Sequence, residues 1–416
     1  MEKSLNQTNP TKKYSYLLIF LCWLAYSVSY LGKMSYSANI VQVEKFYDVT
    51  HASAGLVSTL LFISYGVMQI INGFLCKYYS SRFVIFLGLA VSGIVNLIVA
   101  FTDNFTLVTV LWFINGIALS FLWTAVIRTL SETLTKEYMA IASIIVGTTV
   151  AAGTFVIYGV SSVLVAINYF KGAFLFAGIV MPIVAVIWFI FMPRVVAKIP
   201  KEAKEELKLE KVNASKLEVK HIYLSVACFF LIAIAINFIK DGLVTWVPAI
   251  MKDTYNLPES ISIILTLALP CVAVFGNMMG VAIHKKITDF VTQVALMFLI
   301  SAVLVGAVIA GLSLNVFIIT IVCFAVVYLC VSSCNSLVTS MFPLFMKGKV
   351  NSGLIAGVIN GFCYVGSALS TYVLGAVADA RGWNAVFWLL FIICVAVLVV
   401  WLVYQIVYQI FRKKHA

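Results

Sequence analysis

The chain is 416 residues long, 63% hydrophobic and only 11% charged. A soluble domain carries about 25% charged residues, so this composition excludes a globule coated by water and makes lipid the main solvent. The formal net charge of +12 does not indicate nucleic acid, because no basic domain stands apart from the apolar stretches; the excess reads as topogenic.

A helix needs about 20 apolar residues to cross the hydrocarbon core. Twelve stretches qualify, at 15–40, 52–76, 82–101, 106–131, 138–165, 173–192, 221–250, 260–283, 290–311, 315–341, 352–378 and 384–411. The expected fold is therefore an all-α polytopic membrane protein with 12 transmembrane helices. The first run follows a basic start but is too long for a signal peptide, and no small-residue cleavage site follows it. With the N-tail, the even-to-odd loops and the C-tail placed in the cytoplasm, that side holds 21 of the 28 Lys and Arg; four lie opposite and three within spans. This bias puts both termini inside. A cell-membrane (plasma or inner-membrane) location is expected.

One stretch interrupts the series. Residues 193–220 are rich in Lys and Glu and lack an apolar run, so they form a cytoplasmic linker. It divides an N-terminal six-helix bundle, 1–192, from a C-terminal one, 221–416. The halves echo each other. Tyr30 precedes Lys33 by three residues in span one, as Asn237 precedes Lys240 in span seven. Short basic loops follow spans two and eight. Glycine-studded runs occupy spans five and eleven, where small residues let helices approach closely. Two pseudo-symmetric six-helix bundles joined by a cytoplasmic link are the layout of secondary transporters that hold substrate near the midplane.

Two residues stand out. Lys33 and Lys240 fall at the same depth of their spans, one in each half. A charge near the bilayer centre costs at least about 2.5 kcal/mol, so it marks a functional site by default. On a helix, Tyr26, Tyr30, Lys33 and Ser37 share one polar face. Two ammonium groups facing one cavity would repel by about 2 kcal/mol at roughly 8 Å and an effective dielectric of 20, and an anion between them would remove that repulsion. Asp241 follows Lys240, but consecutive helical residues point apart, so the two are expected to be poor partners for each other; Asp241 is a candidate coupling residue that titrates. Arg128, near the cytoplasmic end of span four, suits snorkelling or a gate contact. Tyr65, Trp123, Trp246 and Tyr364 are candidate cavity aromatics.

Other chemistry is not signalled. The nine cysteines lie in apolar stretches without C-x-x-C spacing, so neither a disulfide framework nor a metal site is implied. No phosphate loop or nucleophile elbow appears, and the four histidines lie outside the spans or at their edges. No catalytic residues, cofactor or nucleic-acid partner are expected. The expected partners are a small anionic substrate and membrane lipid, with the monomer as the functional unit.

An ordered set of motifs runs along nearly the whole chain: Tyr30-Leu-Gly-Lys33, Ile63-Ser-Tyr65-Gly, Trp123 with Arg128-Thr, Ile239-Lys240-Asp-Gly-Leu-Val-Thr-Trp246-Val-Pro248, and Ala356-Gly with Gly361-Phe-Cys-Tyr364-Val-Gly366. In these the chain resembles the major facilitator superfamily (MFS fold), and within it the organophosphate:phosphate antiporter family of glycerol-3-phosphate and hexose-phosphate transporters. The resemblance implies anion binding by one basic residue in span one and one in span seven, which fall on Lys33 and Lys240, with tyrosines at Tyr30, Tyr65 and Tyr364. The family's arginines are lysines here, which lose the bidentate fork that suits phosphate. Its span-two lysine falls near Gln69 and its span-five histidine on Thr148, and the superfamily's acidic loop signature is degraded at Lys77.

The substrate-binding set is thus Lys33, Lys240, Tyr30, Tyr26, Tyr65, Trp123, Asn237 and Tyr364. The expected function is secondary active transport of a phosphorylated or carboxylated metabolite by alternating access, in exchange for phosphate or another anion. Alternatives are a proton- or sodium-coupled carboxylate symporter with Asp241 titrating, and a membrane sensor of this fold that binds its ligand without moving it.

Overall fold

A computed structural model describes residues 10–75, 78–199, 216–311, 316–342 and 352–413. Every regular element in them is helical. In chain order these are α1 (Pro10–Ala38), α2 (Ile40–Tyr47), α3 (His51–Leu75), α4 (Ser81–Phe101), α5 (Phe105–Thr133), α6 (Lys136–Val146), α7 (Thr149–Ala166), α8 (Lys171–Val196), α9 (Lys216–Tyr255), α10 (Glu259–Thr266), α11 (Ala268–His284), α12 (Phe290–Gly311), α13 (Phe317–Ser336) and α14 (Ser352–Lys413). Lipid has no hydrogen-bonding groups, so a spanning backbone must satisfy itself, and a helix does so within one segment.

Among the described residues, 11 helical stretches are long and apolar enough to span a membrane. The last, Val358–Ile410, is 53 residues long, far more than one crossing needs. It is two helices meeting at Gly382, where φ is 73° and ψ 173°, a conformation that suits a residue without a Cβ. Counting the two separately gives the 12 spans expected. The protein is a multi-pass membrane protein. Most of the proposed linker, residues 200–215, lies outside the described residues.

Two spans are broken in ways the apolar pattern does not show. Span five divides into α6 and α7 at Gly147–Thr148, and span eight divides into α10 and α11 at Leu267. In the second case Pro270 has no N–H to give the preceding turn. Short polar turns end helices in left-handed backbone at Asp48, Asn168 and Asn256, residue types that tolerate it.

The chain forms two compact units: residues 1–38 with 64–207, and residues 39–63 with 208–416. The division falls inside α3, whose first half belongs to the second unit. In the first unit α4 packs on α5 and α8, and α1 packs on α7 and α8. In the second unit α9 packs on α14, and α13 packs on α11 and α12.

Candidate functional site

In the first unit Lys33 sits on α1, half-buried, with its ammonium 5.4 Å from the centre of the Tyr30 ring and 4.8 Å from that of Tyr65. Both lie within cation–π range. The aromatic surface continues along α1: Tyr26 meets Tyr30 edge-on at 5.6 Å and lies 5.0 Å from Trp123 of α5. The structure thus brings together five of the residues expected to bind substrate. Nearby, Trp23 Nε1 donates to Thr148 Oγ1 at 3.0 Å, which places Thr148 at the break between α6 and α7.

The backbone beside Lys33 is held by a buried polar network that the sequence reading did not anticipate. The Gly32 carbonyl accepts from Asn115 Nδ2 at 3.0 Å and from Asn96 Nδ2 at 3.4 Å. Ser92 Oγ donates to Asn115 Oδ1 at 2.5 Å, and Ser35 Oγ donates to Asn96 Oδ1 at 2.9 Å. All four side chains are fully buried, where an unmade hydrogen bond is costly. The network ties α1, α4 and α5 together one residue from the lysine. Two asparagines in otherwise apolar spans were the signal in the sequence; their partners depend on how the helices pack.

Gly153 sets the distance between α7 and α1. A Cβ placed there would fall 2.1 Å from the Ser27 carbonyl oxygen and 2.7 Å from Tyr30 Cβ. Only a glycine allows α7 this close to the Tyr30 turn.

In the second unit Lys240 lies on α9. Contrary to the expectation from helical geometry, Asp241 is its partner: Nζ and Oδ1 are 3.5 Å apart. A lysine's four-carbon stem can swing its ammonium across the angle between successive Cβ vectors. The other Asp241 oxygen accepts from Ser367 Oγ on α14. Asn237 Oδ1 lies 3.5 Å from the same ammonium, and Asn237 Nδ2 donates to Asn335 Oδ1 of α13 at 3.2 Å. Lys240, Asp241, Asn237, Asn335 and Ser367 thus form one polar chain across three helices. Neither Ser367 nor Asn335 is marked by the sequence pattern. Tyr364 lies half-buried on α14, next to Cys363, whose Sγ is 4.0 Å from Asn335 Oδ1.

Two other residues take structural places. Arg128 donates to Glu132 at 2.9 Å and to the Tyr79 carbonyl at 3.1 Å, tying the end of α5 to the turn before α4. Trp246 is fully buried and gives its indole N–H to the Thr371 carbonyl at 3.1 Å, as a packing residue does.

The chain is similar to the membrane sensor protein UhpC of Escherichia coli, with 26% identity over 99 residues, 24% of this chain and 23% of the relative. The same protein of Salmonella typhimurium matches at 26% over 99 residues, 24% of this chain and 22% of the relative. These matches span about a quarter of those proteins. Among solved structures, a bacterial homologue of the human lysosomal transporter Spinster aligns in two inward-facing forms. The unoccupied form has a TM-score of 0.71 at 12% identity, covering 97% of this chain and 98% of the other. The occupied form has a TM-score of 0.71 at 13% identity, covering 98% of each. At such identities the likeness concerns the fold. The family model of the Major Facilitator Superfamily matches residues 22–371, which takes in both lysines. The chain belongs to the major facilitator superfamily.

Proposed function

We propose that the protein is a secondary carrier that moves a small organic anion across the membrane by alternating access, in exchange for phosphate or another anion, with Lys33 and Lys240 as its charge-binding residues. The observation that carries this reading is the setting of the two lysines: each unit holds one ammonium on a spanning helix among side chains that orient it, Tyr30 and Tyr65 in one case, Asn237 and Asp241 in the other. A half-buried ammonium over aromatic rings, as at Lys33, keeps its affinity for an anion. Tyr26, Trp123 and Tyr364 complete the binding set as wall and donor groups. The resemblance to organophosphate:phosphate antiporters supports phosphorylated cargo. Lysine in place of arginine favours recognition by charge over bidentate geometry, and so extends the class to carboxylates.

Counterflow in liposomes tests the proposal. Vesicles loaded with phosphate, a sugar phosphate or a dicarboxylate are diluted into the labelled compound. Accumulation that needs internal anion and is lost in Lys33→Ala and Lys240→Ala supports exchange. Wild-type rates in either variant would remove it.

The pair between Lys240 and Asp241 favours a second reading. A carboxylate on the binding ammonium competes with the cargo, and a proton on Asp241 would relieve that competition, as a proton-coupled symporter requires. Uptake driven by an imposed pH gradient without internal anion would select it. The likeness to a protein named as a membrane sensor supports a third role, ligand binding without flux, which the same vesicles would reveal as saturable binding with no accumulation.

A further inference from the structure

Three elements of the second unit, α2, α9 and α14, converge on the His51 ring, at the first residue of α3. Its Nδ1 lies 2.8 Å from Glu44 Oε1 of α2, and its Nε2 lies 3.6 Å from Asp253 Oδ2 of α9. Its own backbone N–H and that of Ala52 donate to the two oxygens of Asp379 on α14, at 3.1 and 2.7 Å. Trp246 and Trp383 flank the ring at 5.6 and 5.2 Å. Trp383 Nε1 also donates to Asp253 Oδ2 at 3.1 Å, and Lys252 Nζ lies 3.0 Å from Asp253 Oδ1. Beside the cluster, Glu259 on α10 takes Lys45 and Gln42 of α2 as partners. None of these groups belongs to the anion-binding set.

A carboxylate faces each ring nitrogen. A neutral imidazole has one N–H, so it can donate to only one of them, and its other nitrogen turns a lone pair toward an anionic oxygen. A protonated ring donates to both. The cluster holds three carboxylates against Lys252 and the ring, so losing the ring's proton also leaves excess negative charge packed at one point.

We propose that the His51 cluster is a pH-sensitive latch: one shared proton ties α2 and the start of α3 to the ends of α9 and α14, and its loss loosens that tie. The proton belongs to the cluster as a whole, since its groups titrate together. Burial pushes the Glu44 carboxyl above the usual carboxylate range, against the opposing pull of the His51 hydrogen bond and charge, which helps the cluster keep its proton. Histidine changes charge between about pH 5 and 8, so the latch works in the physiological range.

The test needs no substrate. The full-length protein is placed in lipid nanodiscs and its tryptophan emission is followed from about pH 5 to 8. A protonated imidazole quenches a neighbouring indole more strongly than a neutral one, and two indoles flank this ring. The expected result is a sigmoidal rise in emission with pH that His51→Gln abolishes. A flat wild-type profile, or an unchanged rise in His51→Gln, overturns the proposal. Should His51→Gln fail to fold, Glu44→Gln decides. It keeps a hydrogen-bond acceptor and removes one negative charge, so the midpoint is expected to move to lower pH by about one unit; an unmoved midpoint overturns the latch.

Discussion

Lys240 and Asp241 are consecutive in the chain, yet Nζ and Oδ1 lie 3.5 Å apart, with the second carboxylate oxygen held by Ser367. An anion that binds Lys240 must share it with a resident carboxylate. Asp241→Asn removes that competitor while keeping an acceptor for Ser367. It is expected to tighten binding of phosphate or a carboxylate by three- to tenfold at neutral pH, about 1 kcal/mol for a partly exposed pair. Titration of the purified protein with each anion checks it. Weaker binding in Asp241→Asn would mean that the carboxylate orients the ammonium more than it competes for it.

The Tyr65 ring and its hydroxyl can be separated. If the ring face holds Lys33, Tyr65→Phe leaves anion affinity within twofold of wild type, whereas Tyr65→Leu weakens it about fivefold, near the 1 kcal/mol of a cation–π contact. A loss in Tyr65→Phe as large as in Tyr65→Leu would instead assign the role to the hydroxyl.

The buried network around Gly32 predicts a stability effect without a charge effect. Asn115→Leu leaves Ser92 only the weaker Met181 sulfur as acceptor and removes one donor to the Gly32 carbonyl. A cost of about 1–3 kcal/mol is expected, read as a lower thermal midpoint in detergent. The same change at Asn104, an exposed helix cap on Leu107, is expected to cost about 1 kcal/mol.

Close packing at Gly153 predicts that Gly153→Val cannot be absorbed by side-chain motion, because the nearest atom is the Ser27 backbone oxygen. The helices must separate, moving the Tyr30 turn with them. Anion affinity is expected to fall at least tenfold while membrane insertion is retained, as binding and fluorescence-detected size-exclusion profiles would show. Gly159, which has open space around it, is the matched control and is expected to accept alanine.

Glu44 carries a stability prediction with a definite sign. Burial raises its carboxyl above the ordinary value, with the nearby Asp253 charge adding to the rise and His51 opposing it. A group raised on folding binds its proton more tightly in the folded state, so its contribution is fully present below the ordinary carboxylate range and is lost as pH climbs through the raised value. The thermal midpoint is expected to decline over that interval, and Glu44→Gln is expected to flatten the decline.

The spans and the two lysines were readable because both are one-dimensional signals. Apolar length marks a crossing, and a charge within it stands out against the cost of burial. Tyr26, Tyr30 and Lys33 were readable as one face because helical periodicity alone aligns them. Asn96, Asn115, Ser367 and Asn335 were not, since their roles depend on which helices meet and at what height. The short helix α2 was also hidden: at eight residues it lies between two apolar runs and shows no crossing-length pattern. The pairing of Lys240 with Asp241 is hidden from helical periodicity because the lysine's long stem reaches across the angle between successive side chains.

The Gly32 carbonyl, gripped by two asparagine amides from neighbouring helices, removes one local freedom from the backbone. Span one cannot unwind at the root of Lys33 without breaking bonds to α4 and α5. Any travel of that ammonium must therefore come from its flexible methylene arm or from the whole bundle turning as a solid block.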